Sequence, residues 1–382
     1  MSIAYQLITT VPALEDFCQY AQGAGFLAVD TEFVRTRTYY ARLGLVQVQA
    51  AERTALIDPV VLVNEGGESA MAPLWQLFAD ADMTLVIHAG GEDYEILHQH
   101  MGKLPNAIFD TQIASAMLGD GDALGYAALV EQRLGVAIDK SQSRTDWMKR
   151  PLADEQLDYA AADVFYLQQL YPQLYELAGT QGKLELILQE SAWQADKRAQ
   201  TVPDEWQFLY FGNAWQCNAE QLSVLRELVA WRYQRARSSD LPLGFIAKDH
   251  TLLDLARQMP DSKNQLRQFK DLSPVTIKYA GDALLEVIAR GRANGPLDIP
   301  LRRLTDLPNY KTMFNEIKQL AQNVANELGI NVALIASRRQ INDVLHWCWQ
   351  IPPQAQAQLP LPDLFTSWRG AKLKQPIEQL LK

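Results

Sequence analysis

Phe26, Leu27, Ala28 and Val29 form an uninterrupted apolar run that ends on Asp30-Thr31-Glu32-Phe33. A short continuous apolar stretch reads as a buried strand, here over 26–33. Residues 43–50, LGLVQVQA, alternate apolar and polar positions as a half-buried strand does. Residues 53–57 and 84–88 give two further strands. Elsewhere the apolar positions recur with helical spacing, over 12–22, 73–80, 92–101, 110–118, 124–134, 154–171 and 173–180. Strands interleaved with helices predict an α/β domain with a mixed sheet over 1–190. The aromatic, irregular stretch 191–216 reads as a packed linker.

Beyond 217 the strand signals stop. In LSVLRELVAWRYQRAR the apolar positions Leu222, Leu225, Leu228 and Val229 lie on one face, and the segment ends basic. A faint repeat follows at an offset of 89, in which Phe245-Ile246-Ala247 matches Leu334-Ile335-Ala336 and Asp254 matches Asp343. Gly281 matches Gly370 at the same offset. The pattern predicts two all-α units, 217–298 and 299–382, related by duplication.

The candidate chemistry lies in three separated patches. Residues two apart on a strand share a face, so Asp30 and Glu32 project together from the end of the first strand. Adjacent buried carboxylates repel each other unless something neutralises them. Hard oxygen donors suit magnesium or manganese. The second patch is Asp93 in LVIHAGGEDYEIL, in the first turn of a helix after a glycine turn. The third is Tyr159 and Asp163 in LDYAAADVFYL, four apart and therefore on one helix face. Each patch alone also fits a strand end in water, a helix-dipole acid or an ordinary helix surface.

The segments AVDTEFVR, HAGGEDYEIL and YAAADVFYL, in this order, resemble the motifs of the ribonuclease D family of DEDD 3′–5′ exonucleases, in the subgroup with tyrosine in the third motif. IFDTQIASAMLG and SQSRTDWMKRPL are similar to that family too. The resemblance implies a ribonuclease H-like catalytic domain and two divalent ions, Mg2+ or Mn2+. It implies that Asp30, Glu32 and Asp163 hold one ion, that Asp30 bridges to a second supported by Asp93, and that Tyr159 positions the attacking water. Where many relatives carry a small residue such as serine, this chain has Gly91. Phe33 is a candidate wedge against terminal bases or a core residue. Trp147, Lys149 and Arg150 are candidates to line the substrate path or to form a packed loop. His88 reads as a supporting residue or a buried hydrogen-bonded one, and Asp110 as structural. The repeats beyond 217 resemble HRDC helical bundles, the first copy more closely, which implies nucleic-acid binding or docking by those bundles. Arg232, Arg235, Arg237, Lys248, Arg338 and Arg339 are candidate phosphate contacts there. The implied activity is removal of nucleotides from RNA 3′ ends, with tRNA precursors as implied substrates. A DNA 3′–5′ exonuclease and an inactive RNA-binding module on the same fold are the alternatives. Matched RNA and DNA oligonucleotides separate the first, and metal-dependent turnover the second.

Charge modifies this picture. The 382 residues carry a net −10, unusual for a protein that handles a polyanion. The two halves differ, however. Residues 1–190 hold 11 Lys and Arg against 26 Asp and Glu, and residues 191–382 hold 24 against 19. A basic second half suits a polyanion, and bound metal offsets acidity at the site. Cys18, Cys217 and Cys348 form no C-x-x-C and suggest a reducing cytoplasm. The opening MSIAYQLITT lacks the basic start and long apolar run of a signal peptide, and no stretch approaches the roughly 20 apolar residues of a membrane span. The five histidines offer no zinc spacing, and His98 and His100 are only two apart. Nothing demands a dimer, so the expected state is a monomer.

Overall fold

The computed structural model describes residues 3–139, 141–142 and 144–381. They divide into two compact units. The first comprises 1–34, 41–200 and 324–335, and the second comprises 35–40, 201–323 and 336–382.

The first unit is built on one six-stranded sheet. Its strands are β1 (Gln6–Ile8), β2 (Phe26–Val34), β3 (Arg42–Ala50), β4 (Arg53–Ile57), β5 (Thr84–Ile87) and β6 (Ala107–Asp110), in the spatial order β1-β4-β3-β2-β5-β6. The β2–β3 and β3–β4 pairs are antiparallel, and β1–β4, β2–β5 and β5–β6 are parallel. The sheet is therefore mixed, as the interleaved pattern predicts. Among the described residues it is accompanied by the α-helices α1 (Val11–Ala21), α2 (Pro59–Gly66), α3 (Ala72–Phe78), α4 (Gly91–Met101), α5 (Thr111–Leu118), α6 (Tyr126–Leu134), α7 (Asp154–Thr180) and α8 (Leu184–Ala199). One face of the sheet buries Leu27, Val29, Val46, Val48 and Ile57 with Leu14 and Phe17 of α1. The other buries Leu45 and Leu56 against Leu157, Ala160 and Ala161 of α7.

Local chemistry explains the ends of these elements. Asp58 accepts the Val61 N–H at 3.1 Å and Pro59 opens α2, a site where proline costs no hydrogen bond. Asp110 caps α5 by accepting the Gln112 N–H at 2.9 Å. Helix α4 stops at Gly102, whose φ of 68° is left-handed.

Two expectations change. Helix α7 runs unbroken through Pro172, where the spacing divides it in two. Pro172 is exposed, so its ring meets solvent and not the core. The linker expected from 191 is still helix α8 up to Ala199. Ser191 and Ala195 are buried in the first unit, at 0% and 1% exposure, so those residues are part of its core.

The second unit is helical. Its first bundle holds α9 (Ala219–Ser239), α10 (Leu243–Ile246), α11 (Asp249–Gln258), α12 (Lys263–Leu266) and α13 (Pro274–Ala293). Helices α9 and α13 touch backbone to backbone at Gly291. A Cβ there would lie 2.6 Å from Val224 Cα, and the Ser223 hydroxyl donates to the Gly291 carbonyl at 2.9 Å. Next come α14 (Tyr310–Leu328), which passes from one unit to the other at 323/324, then α15 (Arg338–Gln350), α16 (Pro353–Gln356) and α17 (Ser367–Leu380). The repeat is visible element by element. Helix α11 begins at Asp249 and α15 at Arg338, 89 residues on, and α12 and α16 begin at Lys263 and Pro353. Four of the six candidate phosphate contacts have acidic partners inside the unit, Arg339 the loosest at 3.9 Å from Asp343. Arg232 is 5% exposed and bonds Asp249 at 2.5 Å, Arg237 pairs with Asp204, and Lys248 pairs with Asp271 at 2.8 Å. Among the described residues no helix is long and apolar enough to cross a membrane.

Candidate active site

Strand β2 delivers Asp30 and Glu32, and the middle of α7 delivers Asp163. One carboxylate oxygen from each lies within 4.8 Å of the others. The strand–helix contact that brings them together is the apolar face of Ala160 and Ala161 on Leu45. Small residues let α7 approach the sheet closely enough for Asp163 to reach the strand acids. Tyr159, one turn earlier, donates its hydroxyl to Asp163. Tyr159 and Asp30 border two adjoining recesses. One also contains Glu32, Phe33, Glu92, Asp93 and Arg198, and the other contains His88, Tyr126, Ile138, Asp139 and Asp163.

Asp93 joins from the opposite side, in the first turn of α4. Its Oδ1 accepts a short hydrogen bond from the Thr31 hydroxyl, which ties it to the residue between the two strand acids. What fixes the start of α4 is Asp110. Its carboxylate accepts the Ala89 N–H at 3.0 Å, the Gly90 N–H at 3.1 Å and the Tyr94 hydroxyl at 3.0 Å. Ala89 has a left-handed φ of 56°, a conformation unfavourable for a residue with a Cβ. A Cβ on Gly90 would fall 2.5 Å from Ile87 Cγ2 and 2.8 Å from the Tyr94 ring, so only glycine fits. His88 is half-buried, bonded to the Thr111 hydroxyl at 3.0 Å, and held below its ordinary pKa by burial.

The loop before α7 plays a different part from lining a substrate path. Trp147 is 1% exposed and packs into the core on Leu45 and Leu56, with its ring 6.2 Å from that of Tyr159. It therefore buttresses Tyr159 from behind. Arg150 bonds Asp58 through Nε at 2.6 Å and Nη2 at 2.8 Å, and reaches the Gly44 carbonyl at 2.5 Å. Neither borders either recess, because the guanidinium and the indole are consumed in latching the loop to β3. Gly44 permits the latch: a Cβ there would lie 2.7 Å from the Trp147 carbonyl oxygen. Lys149 is exposed and borders neither recess. Phe33 does both things considered for it. It borders the acidic recess and packs against the sheet core.

The electrostatics is that of an uncompensated anion cluster. Burial, and then the charges of Asp163, Asp93 and Glu32, hold the Asp30 carboxyl well above the usual carboxylate range. Glu32 is pushed up to about 9 by burial and by Asp163 and Asp93. Burial raises Asp163 to about 7 against the opposing hydrogen bond from Tyr159. It raises Asp93 to about 6 against the bond from Thr31. Among the described residues no Lys or Arg bonds any of the four. Four hard oxygen donors without an internal counter-charge fit a divalent cation.

A pH dependence follows. Each of these carboxyls holds its proton more tightly in the fold than in the unfolded chain. The unfolded chain therefore gives up its protons first as pH rises, and this part of the stability declines from about pH 4, where free carboxyls titrate, through the pKa of about 7 for Asp163 and on to about 9 for Glu32. In EDTA, Asp163→Asn is expected to melt above the wild type at pH 8, with the gap closing toward pH 5. Mg2+ should raise the wild-type Tm more at pH 8 than at pH 6. A wild-type Tm in EDTA that matches the variant at every pH contradicts the cluster electrostatics.

The profile of the 3′–5′ exonuclease family matches residues 5–177, which places the first unit in that class of enzyme, and the fold implies the use of divalent metal. The HRDC domain profile matches 221–288, and that of the C-terminal HRDC domain of ribonuclease D matches 308–377. A relative in Cronobacter turicensis named ribonuclease D is 39% identical over 378 residues, covering 98% of this chain and 100% of the relative. The ribonuclease D of Escherichia coli K12 is 38% identical over 380 residues, covering 99% and 98%. The crystal structure of E. coli RNase D, described as an exoribonuclease involved in structured RNA processing, superposes with a TM-score of 0.90 at 37% identity, over 99% of this chain and 98% of that one. The chain belongs to the ribonuclease D family, and its activity is that of a 3′–5′ exoribonuclease.

Proposed function

We propose that the enzyme trims structured RNAs that end in a short single-stranded 3′ tail, tRNA precursors among them, one nucleotide at a time, releasing nucleoside 5′-monophosphates. The observation that carries the reading is the convergence of Asp30, Glu32 and Asp163 within 4.8 Å, with no Lys or Arg among the described residues bonded to them. Asp30, Glu32 and Asp163 would hold one divalent ion, and Asp30 with Asp93 a second, Mg2+ or Mn2+. Such ions, when bound, supply a water of lowered pKa and charge stabilisation at both the attacking and leaving oxygens.

The chain's own residues do the rest. Burial and the neighbouring acids keep the Tyr159 hydroxyl protonated. Tyr159 is therefore a neutral hydrogen-bonding group that orients the attacking water, and not a base. Trp147 behind it fixes the ring, and Thr31 fixes Asp93. The relative described as acting in structured RNA processing supports the substrate class. Three cysteines without disulfides support a reducing, cytoplasmic compartment, in which the enzyme is taken to act as a monomer.

Turnover of a 3′-tailed RNA, labelled at its 5′ end and followed as a ladder, tests the reading. Cleavage should stop in EDTA and return with Mg2+ or Mn2+. In the same assay Tyr159→Phe should lower kcat about 10- to 100-fold with KM nearly unchanged, as for loss of one positioned hydrogen bond in the transition state. Full rate in EDTA, or an unaffected Tyr159→Phe, overturns it.

A further inference from the structure

Arg198 lies in the last turn of α8 and borders the recess that holds Asp30, Glu32, Asp93 and Tyr159. It is the one Lys or Arg among the described residues that line that recess. Its guanidinium rests against the first residue of α4, so close that a Cβ on Gly91 would fall 2.9 Å from Nη2. The side chain is exposed, and among the described residues it makes no hydrogen bond or ion pair. It differs in this from Arg150 and Arg133 of the same unit. Arg150 is consumed by Asp58 and Gly44, and Arg133 pairs with Asp120 at 2.7 Å.

The helix that carries Arg198 is fixed to the site. The Ser191 hydroxyl accepts the N–H of Asp110 at 3.0 Å, and Asp110 is the residue whose carboxylate sets the start of α4. Ala195, three residues before Arg198, is buried in the sheet core. One residue thus positions both Asp93 and the helix that presents Arg198. A guanidinium so held, unpaired at the rim of an acidic recess, offers two parallel N–H donors.

We infer that Arg198 binds a backbone phosphate of the RNA strand entering the cleft, next to the phosphate being cleaved. This rests on the acid cluster being the site of cleavage. The contact is made equally in the bound ground state and in the transition state, so it governs KM and not kcat. It also adds one phosphate contact to the salt dependence of binding.

The test uses the full chain. For Arg198→Ala, KM on a single-stranded 3′-OH RNA is expected to rise about tenfold with kcat within about twofold, and the slope of log KM against log salt to fall by about 0.7, the value for one single-strand phosphate contact. Arg198→Lys keeps the charge without the fork, so it should recover part of the loss. Arg53→Ala, remote from the recess and paired with Asp16, should leave KM unchanged. Anisotropy with a labelled RNA oligonucleotide in an Asp163→Asn background gives an independent reading. Intact RNA bound about tenfold more weakly when Arg198→Ala is added supports the contact, and intact RNA bound equally well overturns it. RNA degraded in that background overturns the acid-cluster reading instead, and KM in the otherwise wild-type enzyme then decides Arg198. A fall in kcat with unchanged KM and a shifted Mn2+ titration midpoint would mean that Arg198 acts on the acids, and overturns the contact.

Discussion

Asp30→Asn and, separately, Asp163→Asn are expected to lower kcat/KM on a 3′-tailed RNA by about 10³-fold or more, the scale of losing a central electrostatic group in the transition state. Asp30 is the hub of the cluster, since Asp163, Asp93 and Glu32 all act on its ionisation. Asparagine keeps its shape and removes one charge and one metal donor. It also removes like-charge repulsion, so both variants should retain the native circular dichroism spectrum and melt no lower than the wild type in EDTA. The combination of lost activity with unchanged or raised stability is what distinguishes a metal-binding acid from a structural one. Near-normal turnover by either variant removes the basis for assigning the cluster.

Asp110→Ala is expected to do the reverse and damage the fold first. Asp110 is 3% exposed and accepts from Ala89, Gly90, Tyr94, Gln112 and Ile113. Its removal leaves several buried donors without partners and frees Ala89 from its left-handed turn. Each buried, unsatisfied donor costs roughly 1–3 kcal/mol, and relaxation and water recover part of that, so a loss of about 3–5 kcal/mol is expected. At about 2–4 °C per kcal/mol for a unit of this size, Tm should drop by roughly 10 °C. Activity should fall as well, because Asp93 is presented by the turn that Asp110 holds. Thermal melts together with turnover at low temperature check this. A Tm within about 2 °C of the wild type would show that other contacts hold α4.

The parts of this molecule that were legible in its sequence are those with strong periodicity. The strands around Asp30, Gln47, Leu56 and Val86, and most helices expected over 1–190, appear within a residue or two of their expected limits. Strands β1 and β6 have three and four residues, too few to display alternation. Helix α2 opens on Pro59, and its start depends on the cap from Asp58. Helix α8 was obscured because several of its buried positions, Glu190, Ser191 and Ala195, are polar or small. In the site, Asp30, Glu32, Asp93, Tyr159 and Asp163 stand out through the three segments that resemble the family motifs, although of the five only Asp93 lies in the first turn of its element. Trp147 and Arg150 look like substrate contacts in a loop of mixed character, and only the approach of that loop to Gly44 reveals a latch. Arg198 gave no signal, since a basic residue in the last turn of a helix is ordinarily a dipole partner.

The nuclease unit does not finish where its sheet finishes. Helix α8 covers β6 and bonds Asp110 through Ser191, and its last turn supplies Arg198. A chain cut after residue 177 would keep the four acids and Tyr159 but strip the cover from an edge strand and unseat the turn that aims Asp93. A nuclease piece therefore has to extend at least to about Gln200, where the long continuous run of the first unit ends, and the rest of that unit is supplied by 324–335.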